Sequence, residues 1–165
     1  MVKRDACAAV QGQDPLQRSL FDYVDYASAN SYERAIALCL DRDANVLWWY
    51  RNLVGKEHFS VQGYRKDRIR PDFVVHGAED GKPVARVLVL ESKGEPFEGN
   101  EDTLYKRQVA DVFNEVGQKV TWQQLAEDFA EHEFRFQVLD QSGEAGQEWR
   151  EILRRVVADE PVRAR

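Results

Sequence analysis

The sequence reads PDFVVHGAEDGKPVARVLVLESKG from Pro71 to Gly94, two apolar runs with a turn-rich segment between them. The first run, Phe73-Val74-Val75, consists of the branched and aromatic residues that are common in strands. The segment 77–83 contains Asp-Gly, a pair typical of turns. The second run, residues 84–90, is nearly all apolar, as in a central strand covered on both faces. We therefore predict two antiparallel neighbouring strands joined by a turn.

Charged residues lie at one end of this strand pair. Asp72 precedes the first strand, while Glu91 and Lys93 close the second, and eighteen residues separate Asp72 from Glu91. Paired strands lie about 5 Å apart. Side chains alternate along a strand, so Glu91 and Lys93 share a face and Ser92 points to the other. We expect two carboxylates and one ammonium to meet at one edge of the sheet.

This set of groups suits phosphodiester hydrolysis. Asp72 and Glu91 can bind Mg²⁺, or Mn²⁺ in its place, and the backbone carbonyl of Ser92 is a candidate further ligand. The metal polarises the phosphate and helps to generate hydroxide, while Lys93 can orient the attacking water and stabilise charge. An acid-x-Lys triplet arises about once by chance in a chain of this length. Asp80-Gly81-Lys82 is such a second match, and it lies in the predicted turn.

Simpler interpretations of the same residues stay open. Asp72 follows a proline and could simply begin a turn. Glu91 and Lys93 could form a solvated pair on one strand face, worth under about 1 kcal/mol. The apolar run before Glu91 favours a site at the sheet edge instead.

The rest of the chain predicts a mixed α/β layer architecture. We predict a helix from 30 or 31 to 42, strands over 46–53, 59–62 and 134–139, and helices over 101–118, 121–131 and 147–158. Residues 1–29 show no sustained period and are interpreted as a lead-in to a single domain over 30–160. Cys39 falls on the apolar side of the first helix, where a small core residue is expected.

Glu33, near the start of the first helix, has two open interpretations. With Asn30 as N-cap it would be the acid of a capping box. It also lies at the boundary of the helix's apolar stripe, from where it could reach the edge of a neighbouring sheet.

The charge distribution bears on nucleic-acid binding. The net charge of −6 argues weakly against a free-standing DNA binder. A local basic run nevertheless precedes Asp72, and it supplies candidate phosphate contacts at Arg65, Lys66, Arg68 and Arg70. Tyr105 and Lys106, on the helix after Lys93, are further candidates. An ordinary solvated surface is the alternative for all of them.

Other functional classes find little support. His58, His76 and His132 are scattered without metal-ligand spacing, so a zinc site is not indicated. No apolar run approaches the length of a membrane span, and no signal peptide is evident, so a cytoplasmic protein is expected.

Three stretches together resemble a known nuclease family. They are 49–52, WYRN, then 59–75, FSVQGYRKDRIRPDFVV, and 87–94, VLVLESKG, and the continuation 98–106, EGNEDTLYK, fits as well. They resemble the C-terminal endonuclease domain of type III restriction enzymes and of related DEAD/DEAH-box helicase proteins, within the PD-(D/E)xK nuclease superfamily. The similarity covers about residues 30–140.

The resemblance implies a restriction-endonuclease-like fold with an αβββαβ core. It implies metal binding by Asp72 and Glu91, a catalytic role for Lys93, and an acid from the first core helix, for which Glu33 is the matching position. It also implies that a helicase motor accompanies the domain.

The chain departs from a complete helicase-nuclease because it has no Gly-x-x-x-x-Gly-Lys-Ser/Thr phosphate loop. It is therefore expected to be an excised domain or a stand-alone relative. Two alternatives to a DNA endonuclease stay open: an inactive nuclease-fold module that docks DNA or a protein, and a nuclease that acts on RNA or branched DNA.

Overall fold

The computed structural model describes residues 16–21, 24, 28–55, 58–119, 133–144 and 147–158. Within these ranges the chain forms four strands and three α-helices. In chain order they are α1 (Ser31–Arg42), β1 (Val46–Arg51), β2 (Phe73–Glu79), β3 (Lys82–Lys93), α2 (Glu101–Lys119), β4 (Glu133–Asp140) and α3 (Trp149–Ala158). A 3₁₀ turn, Glu95–Phe97, lies between β3 and α2. The predicted α/β class is confirmed, and the helix predicted over 121–131 lies outside the described residues.

The four strands form one mixed sheet in the order β1-β2-β3-β4. β2 is antiparallel to β1 and to β3, whereas β4 is parallel to β3. A parallel pair requires a long crossover connection, and α2 lies in that connection. None of the helices in the described ranges is long and apolar enough to cross a membrane.

The β2–β3 hairpin is longer than the sequence predicted. The break expected over 77–83 is corrected to two residues, because β2 continues to Glu79 and β3 begins at Lys82. Asp80 and Gly81 both have positive φ, 49° and 73°. This backbone matches the twist of the flanking strands in a two-residue hairpin turn. The Asp80-Gly81-Lys82 triplet therefore lies at the hairpin turn, as expected.

Apolar side chains from the two faces of the sheet form two separate clusters. Leu88 and Leu90 of β3 pack against α1 and α3, together with residues of the other strands. Val89, which points to the opposite face, packs with Tyr105 and Val109 of α2. β3 is thus covered on both faces, and this explains its continuous apolar run.

The first helix follows its predicted stripe and cap. Tyr32, Ile36 and Leu40 are buried against the sheet, and the partly buried Cys39 packs beside them. Asn30 is the N-cap, and its side-chain oxygen accepts a hydrogen bond from the backbone N–H of Glu33. The predicted bounds of this helix are confirmed.

The strand predicted over 59–62 does not form. Val61 makes an isolated antiparallel bridge with Ile69, with N–O distances of 2.8 and 2.9 Å. The bridge closes residues 62–68 into a loop that carries most of the basic run. In the described ranges this segment therefore pairs with itself through one isolated bridge and not with the sheet.

Part of the segment interpreted as a lead-in contacts the domain. The backbone N–H of Leu20 donates to the carbonyl of Trp49, and the N–H of Trp49 donates to the carbonyl of Arg18, at 2.8 and 2.9 Å. Val24 is buried in the cluster beneath α1. The packed region therefore includes residues that precede residue 30 in the chain.

Candidate metal centre

The strand register brings Asp72 and Glu91 to the same edge of the sheet. Phe73 pairs with Leu90 in the antiparallel ladder, so Asp72 and Glu91 occupy the next cross-strand position. Residues at such positions have Cβ atoms about 5 Å apart. Their negative charges interact. After burial, the Asp72 charge is the largest cause that raises the pKa of Glu91. The register therefore places the two residues side by side where β2 begins and β3 ends, and their sharing of one ion stays a prediction.

Asn52, at the end of β1, holds the backbone before β2. Its N–H donates to the carbonyl of Asp72 at 2.7 Å. Its side-chain amide donates to the carbonyls of Pro71 and Phe59, at 2.8 and 2.9 Å. Asn52 is buried, so these bonds are protected from competition with water. They fix the position from which the Asp72 side chain extends.

The carboxylate of Asp72 is oriented by Ser92. One oxygen, Oδ2, accepts a hydrogen bond from the backbone N–H of Ser92 and another from its hydroxyl, each at 2.7 Å. Burial raises the pKa of Asp72 above its usual value, and a nearby Glu33 charge adds to this rise. The two Ser92 bonds and the Lys93 charge act in the opposite direction. Asp72 is therefore a desolvated carboxylate with one strongly bonded oxygen.

The carboxylate of Glu91 is the most buried charged group of the site, with 3% of the residue exposed. Its Oε1 lies 2.8 Å from the ammonium of Lys93 and 2.8 Å from that of Lys106. Its Oε2 is buried and has no hydrogen-bond partner in the described part of the chain. Burial and the Asp72 charge raise the pKa of Glu91, while the two ammonium groups lower it.

Asp102, on the first turn of α2, completes the charged network. Its Oδ2 lies 3.1 Å from the Lys106 ammonium and 3.5 Å from that of Lys93. These contacts lower the pKa of Asp102, although its partial burial opposes them. Burial would lower the pKa of Lys106, but the contacts with Glu91 and Asp102 outweigh it and raise the pKa. Lys106 is therefore a firmly charged ammonium.

Glu33 takes the capping position. One carboxylate oxygen accepts a hydrogen bond from the Asn30 side-chain amide at 2.8 Å. The other forms an ion pair with Arg51 at 2.7 Å. Its charge still reaches Asp72, whose pKa it raises. Glu33 thus lies within electrostatic range of the site while both its oxygens are bonded elsewhere.

The basic run lies beside this edge on the loop that Val61 and Ile69 close. Arg65, Lys66 and Arg68 are exposed, whereas Arg70 is partly buried. The loop is fixed to α2 through Tyr105, which is 4% exposed. Tyr105 is therefore a packing residue of the core and not an exposed contact.

Contacts of Arg65 and Gly63 with Tyr105 help to attach the loop to α2. The Arg65 guanidinium lies 4.4 Å from the Tyr105 ring centre. The backbone N–H of Arg65 donates to the Tyr105 hydroxyl. Gly63 packs so closely on Tyr105 that a Cβ atom would overlap the hydroxyl. The loop therefore has a defined position against α2.

The donor set at this edge fits a hard divalent ion. In the described ranges no group of three or more histidine, cysteine, aspartate and glutamate residues could hold a metal. Mg²⁺, however, is commonly held by one or two carboxylates with several waters. The unpartnered, buried Oε2 of Glu91 is a group that such an ion would satisfy, since a buried charged oxygen without a partner is costly. The backbone carbonyl of Ser92 stays a predicted ligand.

Sequence reasoning missed three contributions. The side chains of Asn52 and Ser92 were given no role, and Asp102 was not considered. Ser92 could have been suspected from its place between Glu91 and Lys93. Lys106 was predicted as a nucleic-acid contact, but its bond to Glu91 depends on how α2 packs on the sheet, which no spacing within the sequence reveals.

Comparison of the chain with known protein families, with curated proteins and with solved structures finds no match.

Proposed function

We propose that this domain is a Mg²⁺-dependent endonuclease that hydrolyses DNA phosphodiester bonds on a restriction-endonuclease-like fold. The observation that carries the proposal is the buried, unpartnered Oε2 of Glu91, beside Asp72 and within one edge of the sheet. A buried carboxylate oxygen without a hydrogen-bond partner is stabilised by a cation bound next to it. The lysine that hydrolysis requires, Lys93, is in contact with the same carboxylate.

The arrangement of elements supports the finer fold assignment. The order α1, β1, β2, β3, α2, β4 matches the αβββαβ order that the resemblance implies. The site lies where β2 begins and β3 ends. In this proposal the site occupies the position that the family resemblance implies for the metal-binding acids.

Each side chain has a defined task. Asp72 and Glu91 would hold Mg²⁺, which when bound polarises the scissile phosphate and lowers the pKa of a coordinated water. Ser92 keeps Asp72 oriented through its two hydrogen bonds. Lys93 orients the attacking water and stabilises the negative charge that develops on the phosphate. Glu33 contributes through its charge and holds Arg51 in place.

The DNA would lie across the basic loop. Arg65, Lys66 and Arg68 project from a loop fixed to α2, and such cations bind phosphates without reading sequence. Arg70 is a less accessible candidate, and Lys106 reaches the substrate only at the site itself. The net charge of −6 favours a partner that supplies further DNA affinity. We propose a helicase motor for this role, in a cytoplasmic restriction or defence complex.

Nicking of a supercoiled plasmid with Mg²⁺ tests the proposal. Asp72→Asn and Lys93→Ala should each reduce the rate at least about 100-fold, the scale on which single catalytic groups act. Asp80→Asn and Lys82→Ala make matched changes in the triplet at the hairpin turn and should leave the rate unchanged. Equal nicking by wild type and both site variants would refute the assignment.

One observation favours the alternative of an inactive docking module. The charge of Glu91 is already neutralised by two lysines, so the fold does not require a metal. A docking module would bind DNA but would show no Mg²⁺ binding that depends on Asp72. A panel of single-stranded, duplex and branched DNA and of RNA would identify the nucleic acid that is cleaved.

A further inference from the structure

Lys106 provides a second ammonium at a carboxylate that already has one. Its Nζ lies 2.8 Å from Glu91 Oε1, and Lys93 Nζ lies at the same distance from the same oxygen. One lysine is enough to neutralise one carboxylate. The second ammonium, which also contacts Asp102, therefore places a positive charge beside the carboxylate that a metal ion would use.

The surroundings of Lys106 show that this contact is not a loose surface pair. Its side chain is 16% exposed and that of Lys93 is 13% exposed. Removing an ammonium from water is costly unless acids compensate for it. Glu91 and Asp102 supply that compensation, at 2.8 and 3.1 Å. Lys106 is thus held against Glu91 by packing and by charge.

We propose that Lys106 is a built-in counter-ion of the metal site, which neutralises Glu91 in the metal-free protein and competes with Mg²⁺ for it. The inference rests on the proposed function, because it takes Glu91 to be a metal ligand. The two lysines occupy Oε1 and leave Oε2 open, so ammonium and metal would share one carboxylate. Two like charges so close repel each other strongly in a site with little water. Lys106 therefore lowers the affinity of the site for Mg²⁺ without itself binding the metal.

A merely structural role for Lys106 predicts the opposite result. If the ammonium only fixed the orientation of Glu91, its removal would loosen a ligand and weaken Mg²⁺ binding. If it competes with the metal, its removal must tighten binding. The direction of the change in the Mg²⁺ dissociation constant therefore separates the two roles.

Calorimetric titration with Mg²⁺ makes this measurement. Lys106→Met and Lys106→Gln remove the charge, and Gln keeps a hydrogen-bond donor in case the apolar variant folds poorly. Both should tighten Mg²⁺ binding at least about tenfold, from the loss of a positive charge a few ångströms from the ion. Lys106→Arg keeps the charge and should stay within about twofold of wild type.

Lys82→Met is the matched control for net charge. Lys82 is exposed at the opposite end of β3, nine residues from Glu91 or about 30 Å along the strand. Its removal should leave Mg²⁺ binding within about twofold of wild type. Circular dichroism and thermal melting establish that each variant is folded.

The outcomes are distinguishable. Unchanged or weaker binding in the folded neutral variants would overturn the role of Lys106 while leaving the metal site intact. If wild type shows no Mg²⁺ binding that Glu91→Gln abolishes, the proposed metal site itself fails. That result is obtained before any Lys106 variant is measured.

Discussion

Ser92 donates two hydrogen bonds to a single oxygen of Asp72, one from its backbone N–H and one from its hydroxyl, each 2.7 Å long. Asp72 directly precedes β2, and Ser92 lies in β3. The bonds therefore couple the start of β2 to the end of β3 at the site. Through them, the residue between Glu91 and Lys93 orients the other carboxylate.

Ser92→Ala removes one of these bonds and keeps the other. Because a hydrogen bond to a charged group contributes about 1.5–3 kcal/mol, we expect plasmid nicking to slow about tenfold. The free energy of unfolding, measured in urea, should fall by about 1 kcal/mol or more. Ser142→Ala is the control, since it removes a hydroxyl that donates a solvent-exposed hydrogen bond to the carboxylate of Glu98. Equal nicking by Ser92→Ala and wild type would contradict the coupling.

The raised pKa of Asp72 predicts a dependence of stability on pH. Burial makes the folded protein hold the Asp72 proton more tightly than the unfolded chain does. Between the unfolded and the folded pKa, the folded state therefore binds more protons, and stability falls as the pH rises. Below the unfolded pKa this stabilising contribution is fully present, and above the folded pKa it is lost.

Asp72→Asn abolishes this titration while keeping an acceptor for Ser92. In metal-free buffer at pH 7 we expect its Tm to exceed that of wild type by a measurable margin, since about 1 kcal/mol already shifts the Tm of a domain of this size by about 2–4 °C. The difference should vanish as the pH approaches the usual aspartate pKa of about 4. Thermal melting across this range tests the prediction, and a variant less stable than wild type at pH 7 would contradict it.

The basic loop should control the electrostatic part of DNA affinity. Lys66→Gln and Arg68→Gln each remove an exposed cation from the loop. If both residues contact phosphates, each substitution should lower the salt-dependence slope of binding by about one. Fluorescence anisotropy with a labelled duplex over a salt series gives that slope. Lys82→Gln, with the same change in net charge, should leave it unaltered; equal slopes for all three variants would exclude the loop from the interface.

Much of the fold follows from local pattern. The apolar run 84–90 predicted a buried central strand, and β3 is covered on both faces. Alternation along that strand placed Glu91 and Lys93 on one face, where their side chains are in contact. The Asn30 N-cap and the apolar stripe of α1 were also predicted from the local sequence. These features depend on residues close together in the chain.

The features that sequence could not give depend on distant packing. Asn52 lies nineteen residues from Pro71, yet its side-chain amide donates a hydrogen bond to the Pro71 carbonyl. Lys106 lies on a helix whose placement over the sheet alone brings it to Glu91. Residues 59–62 have the composition of a strand but find no edge to pair with, so only Val61 forms a bridge. For residues 59–62, tertiary context overrides the local strand propensity.

Mg²⁺ titration of wild type, Asp72→Asn and Glu91→Gln addresses the metal centre most directly. We predict that wild type binds Mg²⁺ through the two carboxylates at the edge of β2 and β3, and that each substitution abolishes the binding heat. Binding that persists unchanged in both variants would show that these acids do not share an ion.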